Sequence, residues 1–282
     1  MTTPSTPRPR PTRFVDVDWG RLAYTEHGDG KDVVVLLHQF LVDKRAQWPI
    51  AEYLAAQSYR VICVDLPGHG ESDAPRRDDA YGLPRSSAAV LGLLDALDVE
   101  SAFLGGASFG SLHALCIALT APERLRGLWL EMPILDRGIR NSCYWGGVVL
   151  SGYSAFSPLL RLLAPLARRG ARRPDNLGIA LGLLARDPDA TRHMMVGTLG
   201  HGLKPWIADW RSLTVPTLVM GHPFDPVHVL ADAEQLAAEL PRSQYLRSSS
   251  IAELRSHPER SMPDVARFVA ACFDASDVDL VS

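Results

Sequence analysis

The chain has 282 residues, 46% of them hydrophobic and 22% charged, which suits one large domain or one domain with an insertion. Its net charge of −3 provides no global field for attracting nucleic acid or an anionic membrane. The four cysteines (Cys63, Cys116, Cys143 and Cys272) form no CxxC pair and read as small hydrophobes in a reducing compartment, not as a disulfide frame or metal site.

Residues 1–12 are rich in proline, threonine and arginine and lack the apolar stretch of a secretory signal, so they read as a disordered leader. No apolar run approaches the roughly 20 residues needed to span a bilayer. The expectation is a soluble cytoplasmic protein without a membrane span.

From Arg13, two short alternating segments, RFVDVDWG and RLAYTEHG, read as strands that pair antiparallel at one edge. DVVVLLH (Asp32–His38) and YRVICVDL (Tyr59–Leu66) are continuous apolar runs, as expected of strands buried on both faces. RAQWPIAEYLAAQ has helical spacing between them, and a further helical stretch runs from about Ser86 to Leu97. SAFLGGA (Ser101–Ala107) is a strand, FGSLHALCIALTAP (Phe109–Pro122) a helix ended by its proline, and RLRGLWLEMP (Arg124–Pro133) another strand. This alternation predicts an α/β fold, a mostly parallel sheet with helices on both faces.

The rhythm breaks at Ile134. Residues 134–213 have no β-branched run but carry aromatics, leucine-rich segments and a basic knot at Arg168–Asp175, and they read as a helical insertion. VPTLVMGH (Val215–His222) resumes the sheet, followed by a helix at Val229–Leu240, a weaker strand at SQYLRSSS and a final helix at Met262–Phe273. The core is thus expected at 13–133 and 214–282, with the insertion at 134–213.

Gly106-Ala107-Ser108-Phe109-Gly110 is a G-x-S-x-G pattern between a predicted strand and a predicted helix, the context of a nucleophile elbow. A sharp turn there leaves no room for flanking side chains, and the helix N-terminus behind it offers free N–H groups to a developing negative charge. His38-Gln39-Phe40 closes an earlier buried strand, and DLPGHGES (Asp65–Ser72) follows the next. With these motifs in this order, nearly the whole chain after the leader resembles the α/β-hydrolase superfamily.

The resemblance implies a serine hydrolase with a helical cap over its site. Ser108 is the expected nucleophile, with the Phe40 and Phe109 N–H groups as oxyanion-hole donors. The family usually has glycine where this chain has Gln39, and a glycine-like backbone there would cost about a kcal/mol or more. Asp225, just after the strand at Val215–His222, is the expected acid, with Glu131 and Asp136 as rivals. His257, between the last strand and the final helix, stands where the family keeps its base. His228 lies three residues from Asp225 and opens the next helix, so it is expected to point elsewhere. His69 reads as a locally bonded loop histidine. His222, Asp225 and His228 span a proline-containing loop, a spacing that does not preset metal geometry.

The implied activity is cleavage of an ester, thioester or lactone of a largely apolar small molecule through an acyl-enzyme, with no cofactor or metal. A serine in place of an aspartate nucleophile argues against epoxide hydrolase and haloalkane dehalogenase chemistry. An acyltransferase, a C–C bond hydrolase on the same triad, and a weakly catalytic or non-catalytic ligand-binding member of the fold remain alternatives.

Overall fold

The computed structural model describes residues 10–171, 173, 175–200, 210–225, 227–250 and 253–274. Eight strands form one sheet: β1 (Arg13–Val17), β2 (Gly20–His27), β3 (Val33–Leu37), β4 (Arg60–Val64), β5 (Ala102–Ala107), β6 (Leu125–Glu131), β7 (Thr217–Gly221) and β8 (Ser243–Arg247). Their spatial order is β1-β2-β4-β3-β5-β6-β7-β8. The β1–β2 and β2–β4 pairs are antiparallel and the remaining pairs are parallel. The edge expectation for the first two strands therefore holds. Of the expected leader, residues 10–12 are described and are tethered: Arg10 pairs with Glu52 at 3.2 Å and the Thr12 hydroxyl donates to Glu71 at 2.6 Å.

The VVVLL run of β3 shows how the sequence builds two cores at once. Side chains alternate across a strand. Val33, Val35 and Leu37 enter one apolar cluster, with α2 (Leu83–Ala96), α3 (Phe109–Thr120) and α8 (Leu230–Glu239). Val34 and Leu36 enter the other, with α1 (Trp48–Ala55) and α10 (Pro258–Asp274). α3 is apolar on all sides, as befits a helix buried throughout its first ten residues.

Between β6 and β7, among the described residues, lie four α-helices: α4 (Asp136–Ala155), α5 (Ser157–Gly170), α6 (Asn176–Ala185) and α7 (Pro188–Gly200). Buried Asp232 on α8 fixes where they begin, accepting the backbone N–H of Leu135 and of Gly138 at 3.1 and 2.7 Å. The insertion then settles over loops at the C-terminal ends of the strands. Arg186 donates to the Gly68 carbonyl at 2.5 Å, and His193 bonds Asp78 at 2.6 Å. Arg76 pairs with Asp187 at 2.7 Å, and Met194 and Met195 pack on Ala80 and Tyr81.

The chain goes from β3 to β4 on one side and then to β5 on the other. That reversal opens a crevice at the carboxyl ends of β3 and β5, where ligands bind in open α/β sheets.

Candidate active site

Ser108 sits at the end of β5 with φ 54° and ψ −111°, a left-handed conformation that is strained for any side chain. Its backbone is fixed on both sides: the N–H donates to the Glu131 carbonyl at 2.8 Å, and the carbonyl accepts from the Ser111 N–H at 2.9 Å. The flanking glycines are needed for close approach. A Cβ at Gly106 would lie 2.3 Å from the Gly110 carbonyl oxygen, and one at Gly110 would lie 2.4 Å from that of Leu37. β5 can therefore turn into α3 only where both positions lack a side chain.

The Ser108 hydroxyl points at a histidine. Its Oγ lies 2.7 Å from His228 Nε2, and His228 Nδ1 lies 2.7 Å from Asp225 Oδ2. A carboxylate can only accept, so Nδ1 carries the proton and Nε2 is left to accept from the serine hydroxyl. The other Asp225 oxygen accepts the backbone N–H groups of Val227 and His228 at 2.8 and 3.0 Å. Burial pushes the Asp225 pKa up. The bond from the His228 ring and the two backbone donors outweigh it and hold the carboxyl at about 2.

Asp225, after β7, bonds the His228 ring, and His257, the expected base, meets neither Asp225 nor Ser108. His257 follows the short helix α9 (Glu253–Ser256), is exposed, and pairs with Glu259 at 3.3 Å. No hydrogen bond joins it to Ser108 or Asp225. The segment after β8 delivers Arg255 to the interior instead, and His257 is carried outward at the start of α10. His228 was expected to point away because it opens α8. The loop passes through a left-handed residue at Phe224 (φ 62°) and turns at Asp225, which folds the ring back over the carboxylate three residues before it. The signal in the sequence was the Asp-Pro-Val-His spacing in a proline-bounded loop.

The rival acids are committed elsewhere. Glu131 is buried and forms a two-pronged ion pair with Arg255, one prong at 2.7 Å. Burial raises its pKa, but Arg255 and then His222 override this and bring it to about 2. Asp136 is exposed in the first turn of α4. Arg255 also reaches Gln47 at 3.3 Å, and Gln47 donates to the Leu37 carbonyl at 3.0 Å. The ends of β3 and β6 are tied together beneath the elbow.

Opposite Ser108, the His38-Gln39-Phe40 turn is locked by His38, which accepts the Leu66 N–H through Nε2 at 3.0 Å and donates from Nδ1 to the Gln39 carbonyl at 2.7 Å. Gln39 does not take the glycine-like conformation; the positive φ falls on Leu41, at 65°. Phe40 and Phe109 meet edge to face at 5.0 Å, and neither of their N–H groups has an acceptor among the described residues. Phe109 heads α3, so its N–H is one of the donors that a helix start leaves free. His69 packs on both phenylalanine rings and bonds the Pro67 carbonyl at 3.0 Å. Burial, reinforced by nearby Arg186, drives its pKa well down and keeps it neutral.

Ser108 is only 5% exposed. Phe40 and Leu41, like Val149 and Leu150 of the insertion, pack against the cluster of Ala80, Tyr81, Met194 and Met195. A shallow depression of about 640 Å³ lies elsewhere, between β1 and α2 at Val17, Trp19 and Gly92, and touches none of these residues.

The strand order, the elbow and the loop placement define an α/β-hydrolase fold, and the comparisons with known proteins agree. The model of the alpha/beta hydrolase fold family matches residues 32–145. A dihydrolipoyllysine-residue acetyltransferase component of the acetoin cleaving system of Pseudomonas putida is 31% identical over 248 residues, covering 82% of this chain and 65% of that protein. An epoxide hydrolase of Caballeronia sordidicola is 35% identical over 119 residues, 42% of this chain and 36% of its own. The chain spans less than two thirds of either relative. The enol-lactonase of Burkholderia xenovorans superposes with a TM-score of 0.74 at 21% identity, covering 92% of this chain and all of the other. The chain belongs to the α/β-hydrolase superfamily.

Proposed function

We propose that this protein is a serine hydrolase that cleaves an ester, thioester or lactone bond of a largely apolar small molecule through an acyl-enzyme. The observation that carries this reading is the unbroken relay from Ser108 Oγ through the His228 ring to Asp225, at 2.7 Å in each step. Ser108 attacks the carbonyl, and His228 Nε2 takes its proton. Asp225 holds the tautomer and stabilises the imidazolium. The Phe40 and Phe109 N–H groups receive the oxyanion; one such donor typically supplies about 3 kcal/mol of transition-state stabilisation. His228 then returns the proton to the leaving group and activates water for deacylation.

The helices between β6 and β7 act as a cap. Because Ser108 is buried, the cap must shift for substrate to enter. The serine at the elbow distinguishes this chemistry from the alkyl-enzyme route that an aspartate nucleophile would take.

The test is a series of p-nitrophenyl esters of rising acyl length with the wild type and Ser108→Ala. The reading requires an acyl-enzyme burst in the wild type and none in the variant. Equal rates for the two proteins would remove Ser108 as nucleophile. Saturable ligand binding without turnover would favour a non-catalytic role, and a burst that drains faster into added alcohol than into water would favour acyl transfer.

A further inference from the structure

α5 is built inside out. A surface helix normally buries its large apolar stripe and exposes small or charged residues. Here Ala164 and Ala167 are the buried positions, while Leu159, Leu162, Leu163 and Leu166, spaced to share one face, are turned outward. Leu162 is 75% exposed and Leu166 70%. Phe156, at the junction with α4, and Tyr144, Trp145 and Val148 on α4 are exposed as well. Among the described residues, ten of the thirteen exposed large hydrophobics lie between Tyr144 and Leu184. Scattered exposed leucines need no explanation, but this concentration marks an interaction surface.

The charge of the same segment indicates what covers it. Residues 136–185 contain seven arginines and two aspartates, in a chain whose net charge is −3. Arg168 and Arg169 close α5, and Arg140 lies on α4; all three are exposed, and none has an ion-pair partner among the described residues. One of the two aspartates, Asp175, is already paired with Arg173. A second copy docked about a twofold axis would set this face against itself and bring the uncompensated arginines together. An anionic headgroup layer supplies the missing charge, and the acyl boundary beneath it accepts the leucines. No single helix among the described residues is long and apolar enough to cross a membrane, and α4 and α5 reach that composition only as a pair bent by 85°. The geometry is that of helices lying in an interface, not traversing it.

We propose that α4 and α5 form a peripheral docking surface for an anionic phospholipid bilayer, with the α5 leucines at the acyl boundary and Arg140, Arg168 and Arg169 among the headgroups.

The test is co-sedimentation of the full chain with vesicles of about 30% phosphatidylglycerol in phosphatidylcholine, beside pure phosphatidylcholine vesicles and a no-lipid control. The expected result is binding to the anionic vesicles that falls at least about ten-fold on pure phosphatidylcholine and in Arg168→Gln/Arg169→Gln. Leu162→Ser/Leu166→Ser is expected to lose binding comparably while unfolding at the wild-type temperature, since both side chains are exposed. Three results would overturn the proposal: equal sedimentation with and without anionic vesicles, undiminished binding by the leucine variant, or a wild-type dimer without vesicle binding that the leucine variant converts to monomer. The last would make this face a contact between copies.

Discussion

A serine hydroxyl is a weak nucleophile, and the proposed activation of Ser108 by His228 rests on a 2.7 Å contact, not on position along the chain. His228→Ala should therefore lower kcat by at least about a thousand-fold with little change in thermal stability, because among the described residues the ring bonds only Asp225 and Ser108. His257→Ala should leave ester turnover within about two-fold of wild type, as expected of an exposed residue paired with Glu259. Steady-state kinetics on one p-nitrophenyl ester separates the two, and the opposite ranking would return the base to His257. Asp225→Asn can still accept two backbone N–H groups through its oxygen but no longer holds the ring as a charged acceptor. A loss of roughly 10³–10⁴ in kcat with KM preserved is expected.

At the scale of elements, Asp225 and His228, the proposed acid and base, arrive on one loop between β7 and α8, while the segment after β8 sends an arginine inward. Arg255 and Glu131 form a buried pair beneath the elbow, and the Glu131 carbonyl holds the Ser108 N–H at 2.8 Å. Removing one partner of such a pair leaves the other charge buried and alone, which costs about 3–5 kcal/mol. Arg255→Met should accordingly shift the urea midpoint strongly, and Arg255→Met/Glu131→Gln should recover part of the loss. Additive losses in the double variant would show that the two residues do not act as a pair. The pair also carries a pH dependence. The Glu131 carboxyl is held at about 2, below its unfolded range, so its contribution is complete above pH 4.5 and disappears as pH falls toward 2.

Across the whole molecule, acid sensitivity begins at higher pH. His38, His69 and His113 are fully buried, and desolvation lowers all three pKa values, that of His113 to about 4. The unfolded chain binds protons at these groups from about pH 6.5 downward while the folded chain does not, so stability falls as pH drops through that range. Each group contributes up to about 1.4 kcal/mol per pH unit. Urea titrations at stepped pH should show a steep decline between pH 6.5 and 4.5, shallower in His113→Asn. A flat profile would mean that the folded protein protonates these rings as readily as the unfolded chain does.

The chain itself determined the sheet, the tight turn at Ser108 and the place of Asp225 in the loop after β7. Continuous apolar runs, β-branched residues and paired glycines act within a few residues of where they stand. A steric need such as the 2.3 Å approach at Gly106 leaves a local mark. The concern over Gln39 was local too, but its resolution was not: the positive φ moved to Leu41, in a turn fixed by His38 and the neighbouring loop. The proposed base, His228, could not be read from the sequence either, because its place three residues after Asp225, at the start of a predicted helix, argued against it. What separates it from His257 is the path of the backbone through Phe224 and the way Arg255 fills the space after β8. Likewise, the leucines of α5 are helical by spacing, and only the packing of Ala164 and Ala167 showed which face is turned outward. Short-range sterics and hydrophobic pattern are written in order along the chain, whereas the contact of His228 with Ser108 joins residues 120 apart and the facing of α5 depends on its packing against neighbouring helices.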